Sequence, residues 1–214
     1  MTTLLPTRLL APLCLLALAG CSVLASGERT PVTVYAPQAR IATDPHWPQV
    51  PWQLAIAKPV AARMVDSPRI NVRPTPGELE VYRGATWSQP ATDMLEAALL
   101  RGFEDSGRIG AAARTATGIR SDYKLAIDLR RFESDYAGKA LPSATIELNA
   151  KLIHSLDQRV VAARTFLVAE PSARTDVGSV TAAFETALGR TATDLVGWTL
   201  TTGQNDWQAL PARP

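Results

Sequence analysis

The chain has 214 residues, with 22 Lys or Arg against 20 Asp or Glu and a formal net charge of +2. Such a balance excludes the basic footprint of a nucleic-acid binder. The two cysteines, Cys14 and Cys21, are too few and too early to staple a disulfide framework.

The first twenty-one residues have the layout of a secretory leader. Arg8 supplies the positive charge, and an apolar run follows from Leu9 to Ala19, interrupted by Pro12 and Cys14. That run is shorter than the roughly 20 apolar residues a membrane span requires. It ends Leu18-Ala19-Gly20-Cys21-Ser22, where small residues lead straight into a cysteine, and this resembles the bacterial lipobox. The resemblance implies a diacylglyceryl thioether on Cys21, cleavage before it, and a fatty acyl (palmitate-type) amide on the new amine. One chain anchors only marginally, whereas two or more hold a domain on a bilayer. Ser22 implies sorting to the outer membrane. Residues 1–20 are therefore read as a signal peptide and 21–32 as a lipidated tether; without Cys14 and Cys21 the mature domain has no thiol for catalysis or metal binding.

A single domain is expected over 33–200. A strand begins near Thr33, and Pro37, Pro45, Pro48 and Pro51 make 36–51 a loop across the surface. Gln53 to Ala57, Arg69 to Arg73 and Glu78 to Tyr82 alternate polar and apolar residues, the last two as an antiparallel pair. The period then changes. Ala91, Met94, Leu95, Ala98, Leu99 and Phe103 mark one helical face, with Pro90 before it and Gly107 as its C-terminal cap.

Three alternating runs follow, centred on Leu125, Leu148 and Ala163, and suggest an antiparallel meander. From Val177 to Leu200, Val180, Phe184, Leu188, Leu195 and Trp198 recur at helical spacing. Residues 201–214 lack periodicity and are read as a flexible tail. The order predicts an α+β fold, a two-layer sandwich of a largely antiparallel sheet with two main helices on one face.

Catalytic patterns fail to assemble. His46 and His154 stand apart from any patterned Asp, Glu or Cys and are assigned ordinary surface roles. Gly107 and Gly110 open no phosphate-binding motif. Asp128 and Glu147 have Arg130 and Lys151 as cross-strand partners, worth about 0.2–1 kcal/mol. No enzyme activity, cofactor or metal is expected. Trp198 reads as core, while Trp47, Trp52 and Trp87 are either core residues or anchors in a partner surface, where tryptophan is enriched.

Several runs together carry a family resemblance: Trp52-Gln-Leu-Ala-Ile-Ala-Lys-Pro, Ser67-Pro-Arg-Ile-Asn-Val-Arg-Pro, Leu79-Glu-Val-Tyr-Arg-Gly-Ala-Thr-Trp-Ser, Leu95 through Ile109, and Asp122-Tyr-Lys-Leu-Ala-Ile-Asp-Leu-Arg-Arg-Phe-Glu. In that order they resemble the ABC-type transport auxiliary lipoproteins, PqiC-type proteins included, over about residues 32–200. The resemblance implies a non-enzymatic outer-membrane component facing the periplasm. Its partners would be a mammalian-cell-entry (MCE) domain protein and, through it, an ABC permease and ATPase moving lipids between membranes. It further implies a homo-oligomer, and the proline-rich stretch 43–51 departs from the family pattern. The alternative reading is a structural or regulatory lipoprotein acting on cell-wall assembly.

Overall fold

A computed structural model describes residues 31–118 and 120–211. The signal peptide, Cys21 and nearly all of the tether lie outside the described residues.

The longest strand organises the sheet. β7 (Tyr123–Asp135), β8 (Ser143–His154) and β9 (Val160–Pro171) form the expected antiparallel meander. Tyr123, Leu125, Ile127 and Leu129 face the core, and so does Phe132. The change from odd to even positions has a local cause. The β7–β8 register shifts between Leu129 and Arg131, so Arg130 is a bulge residue and every later side chain changes face. Arg130 pairs there with Asp128 and Glu147.

On its other side β7 receives three short segments in succession, all parallel to it. These are β2 (Val50–Ile56), β3 (Val60–Ala61) and β4 (Arg69–Arg73). β5 (Glu80–Trp87) pairs antiparallel with β4, and β1 (Thr33–Tyr35) lies parallel to β5. β6 (Ile109–Arg114) lies parallel to β2. Among the described residues the sheet of nine strands is thus mixed: the long meander and the β4–β5 pair are antiparallel, and the other N-terminal pairings are parallel.

Among the described residues, two α-helices complete the α+β arrangement. α1 (Ala91–Ser106) buries Ala91, Met94, Leu95, Ala98, Leu99 and Phe103, the residues its spacing marks. It ends where Gly107 turns to φ 61° and its N–H donates to the Glu104 carbonyl. α2 (Val177–Ala209) starts at Asp176, whose carboxylate accepts the Ser179 N–H at 2.9 Å. It packs over β8 and β9 and against α1. Phe184 of α2 stacks on Phe132 at 4.7 Å and meets Trp87 edge-on at 5.2 Å. Pairs of this geometry add about 0.5–1.5 kcal/mol to their burial.

The flexible tail expected from residue 201 is helix as far as Ala209. Thr201, Thr202 and Gly203 are weak helix formers, so propensity stops the helix early; tertiary contacts carry it on. Gly203 lies under Trp52, where an added Cβ would fall 2.5 Å from the ring. Asp206 accepts the Tyr123 hydroxyl at 2.9 Å and pairs with Arg159 at 2.9 Å. Burial, then Asp206, push the Tyr123 phenol well above its ordinary pKa, so it remains a donor.

Outside the helices, residues 36–49 form a strap with no regular structure beyond a turn. Gln38 N–H donates to Glu185 Oε1 and Ala42 N–H to Thr193 Oγ1, at 3.2 and 3.1 Å. Between them the Arg40 carbonyl sits on Gly189, and further on the Trp47 indole sits on Gly197. Positions 185, 189, 193 and 197 are successive turns on one line of α2, and its two glycines let the strap backbone and indole lie directly on the helix. Arg108 donates to the Pro45 carbonyl at 2.8 Å and fastens the far end.

Three outcomes follow from these contacts. Leu95→Asp or Leu188→Asp, each burying an unpaired charge, should abolish the cooperative melt followed by circular dichroism, a loss above about 4 kcal/mol. Gly197→Leu should overpack the strap by about 1–3 kcal/mol and expose residues 36–49 to protease while the helical signal persists. The Ser179 backbone N–H holds the Asp176 pKa below its ordinary 3.8. Stability from this cap is therefore present above pH 3.8 and is lost as pH falls through the lower folded value. Asp176→Asn should flatten the acid limb of a stability–pH curve.

Candidate interaction groove

The strap and β9 flank the outer line of α2 and leave a groove between them. One cavity, about 490 Å³, is walled by Gln38, Arg40 and Ala42 of the strap and floored by Thr186, Arg190 and Asp194 of α2. A second, about 390 Å³, is lined by Trp47, Arg164, Asp194, Gly197 and Trp198. Asp194 lines both. The floor runs from Ala182 to Thr202, about 30 Å at the α-helical rise.

Charge in the groove is distributed unevenly. Arg190 on the floor is neutralised by Glu170 of β9 at 2.8 Å. Glu185 accepts the strap amide of Gln38. Arg164 of β9 has no carboxylate partner among the described residues; its guanidinium lies 4.8 Å over the Phe166 ring. Phe166 in turn meets Trp198 edge-on at 5.8 Å. Stacking of this kind orders a cation while leaving its hydrogen-bond donors free.

The three tryptophans read as core or partner anchors separate cleanly. Trp52 is fully buried, edge-on to Tyr123 at 5.0 Å. Trp87 is buried against Phe132 and Phe184. Both are core residues. Trp47 is half-buried and lines the groove. Trp198, read as core, is half-buried beside it. Arg164 and Asp194 carried no sequence signal. The pair Gly189 and Gly197, two helical turns apart, could have marked α2 as the seat of a closely packed segment.

Elsewhere the polar clusters are closed upon themselves. Glu133 is buried and takes both arms of Arg73, at 2.8 and 3.0 Å, and Arg131 at 2.7 Å, the full pairing that a buried carboxylate requires. Glu96 of α1, also buried, is held by Arg114 at 3.0 Å. His46 is exposed and contacts Asp44 at 2.8 Å. His154 does not have the surface role assigned from sequence. It is buried beside Tyr123 with Nδ1 2.7 Å from Asp157, because its strand position faces the core like Leu152. Among the described residues no three His, Cys, Asp or Glu side chains are grouped to hold a metal. Among the described residues, too, no helix is long and apolar enough to cross a membrane.

Comparison with known proteins reports on the chain as a whole. A crystal structure of protein XCC0632 from Xanthomonas campestris is 69% identical, covers 83% of this chain and 99% of its own, and superposes with a TM-score of 0.81. An uncharacterized protein of known structure, 11% identical, shares the fold with a TM-score of 0.58 over 78% of this chain and 97% of its own. An uncharacterized protein of Bradyrhizobium diazoefficiens is 30% identical over 147 residues, 69% of this chain. The chain spans only 39% of that relative's length. The model for ABC-type transport auxiliary lipoprotein components matches residues 33–196, from β1 well into α2. The chain therefore belongs to the ABC-type transport auxiliary lipoprotein component family.

Proposed function

We propose that this protein is the membrane-tethered docking component of an ABC-driven, MCE-type system that moves lipid between membranes. It is held by lipid on Cys21 at the periplasmic face of the outer membrane and performs no catalysis of its own. The family match over 33–196 is the observation that carries the reading. The lipobox-like Leu18-Ala19-Gly20-Cys21-Ser22 supports the anchor, and the groove beside Trp47 and Trp198 offers a surface for the partner.

The physical logic is one of position. Eleven residues separate Cys21 from Thr33, a reach of at most about 40 Å when extended. A domain confined to that layer meets an envelope-spanning partner at an effective concentration on the order of millimolar. Modest affinity then suffices. Half-buried tryptophans beside an ordered arginine are the side chains that most often carry such affinity.

Two measurements test this. Cys21→Ala should leave an uncleaved precursor and abolish labelling by a fatty-acid analogue; full labelling would refute the anchor. Trp47→Ala or Trp198→Ala should reduce recovery of the MCE-domain protein from detergent-solubilised membranes by about 10–30-fold, with the circular dichroism melt retained. Wild-type protein that recovers no MCE-domain protein would refute the docking role.

A further inference from the structure

β9 closes one side of the sheet. It pairs with β8 and with no other strand, so its outer edge is unladdered among the described residues. This edge is twelve residues long, whereas the open edges at β1 and β6 are three and six. Proteins normally blunt a long edge with lysine, proline, a bulge or a cover. β9 contains no lysine, and its proline, Pro171, is its last residue. Its one register irregularity lies at the first residues, opposite Leu152 and Ile153. Val160 and Leu167 are 50% and 61% exposed along it.

The same strand forms one wall of the groove. Arg164 points its stacked guanidinium into the cavity that Trp47 and Trp198 line. A strand added to β9 would therefore gain backbone hydrogen bonds along the edge. Its alternate side chains would lie against the two indoles.

We propose that β9 is a strand-addition site for an extended segment of the partner protein. That segment has alternate apolar residues and a carboxylate that meets Arg164. The proposal rests on the docking role above and names the form in which the partner arrives. Charge selects the occupant. Arg164 has no carboxylate partner among the described residues, whereas Asp194 on the helical floor repels one, so the acid belongs on the β9 side. A second copy is a poorer occupant. Symmetric antiparallel self-pairing keeps each residue on its own face, so centred on Thr165 or Phe166 it sets Arg164 opposite Phe166 or Val168, and Glu170, the strand's only carboxylate, is already engaged by Arg190.

The test uses the full lipid-anchored chain in detergent and an acetylated, amidated nonapeptide, Ser-Val-Thr-Asp-Thr-Val-Thr-Val-Ser, whose Asp shares a face with its valines. Millimolar peptide should slow amide exchange in residues 160–171 by about tenfold or more and shift tryptophan fluorescence. A copy N-methylated at alternate amides, which cannot form the ladder, should do neither. Arg164→Glu should weaken binding about fivefold, and a peptide with Lys in place of Asp should restore it. Unchanged exchange in 160–171 with the unmethylated peptide would overturn the proposal. Protection that needs no peptide and rises with protein concentration would also overturn it, by giving the edge to a second copy. If the MCE-domain protein co-purifies but leaves β9 exchange unchanged, strand addition alone fails. If the peptide protects β9 and no MCE-domain protein co-purifies, the transport reading alone fails.

Discussion

The closeness of the strap to α2 decides the shape of everything outside the sheet. At Gly189 and Gly197 the absence of a Cβ lets the Arg40 carbonyl and the Trp47 indole rest on the helix itself. The amides of Gln38 and Ala42 are satisfied one turn to either side of Gly189. A proline-rich segment with almost no backbone pairing of its own thereby becomes a fixed wall. Without that contact there would be no groove, and Trp47 would be an exposed aromatic on a loop.

Beneath it, the sheet depends on β7. One strand serves the meander on one side and receives β2, β3 and β4 on the other. The N-terminal half of the chain is thus folded onto a template that lies some 60 residues later in sequence, at a loop-closure penalty that grows only slowly with length. The same strand fixes the end of α2 through Tyr123 and Asp206. Core, helix end and sheet edge are consequences of one thirteen-residue element.

Much of this was legible in the residues. The period-two runs around Leu125 and Leu148, the helical face of α1 and its Gly107 cap all appear where local pattern places them, since each buries one face against the core. What pattern could not show arises from distant contacts. Parallel pairing with β7 leaves no local mark, and Arg130 gives no sign that it is a bulge. β6, Ile-Gly-Ala-Ala-Ala-Arg, has side chains too small to alternate visibly. The last turns of α2 are helical because of Trp52 and Tyr123, which lie far away in sequence. The groove was half visible: Trp47 was marked, but Trp52 and Trp87 carried the same signal and are core. A tryptophan near a proline loop reads alike whether it faces in or out. Arg164 takes its significance from Phe166 and the open edge, which only the assembled sheet reveals.

The central claim is that residues 36–49 are a fixed wall seated on α2, which makes the groove a permanent surface. Native-state hydrogen exchange at the Gln38 and Ala42 amides tests it most directly. Both should be protected together with α2 amides such as those of Gly189 and Thr193, and should open only when the helix opens. Exchange of Gln38 and Ala42 at the rate of an unstructured peptide, while α2 stays protected, would contradict the account.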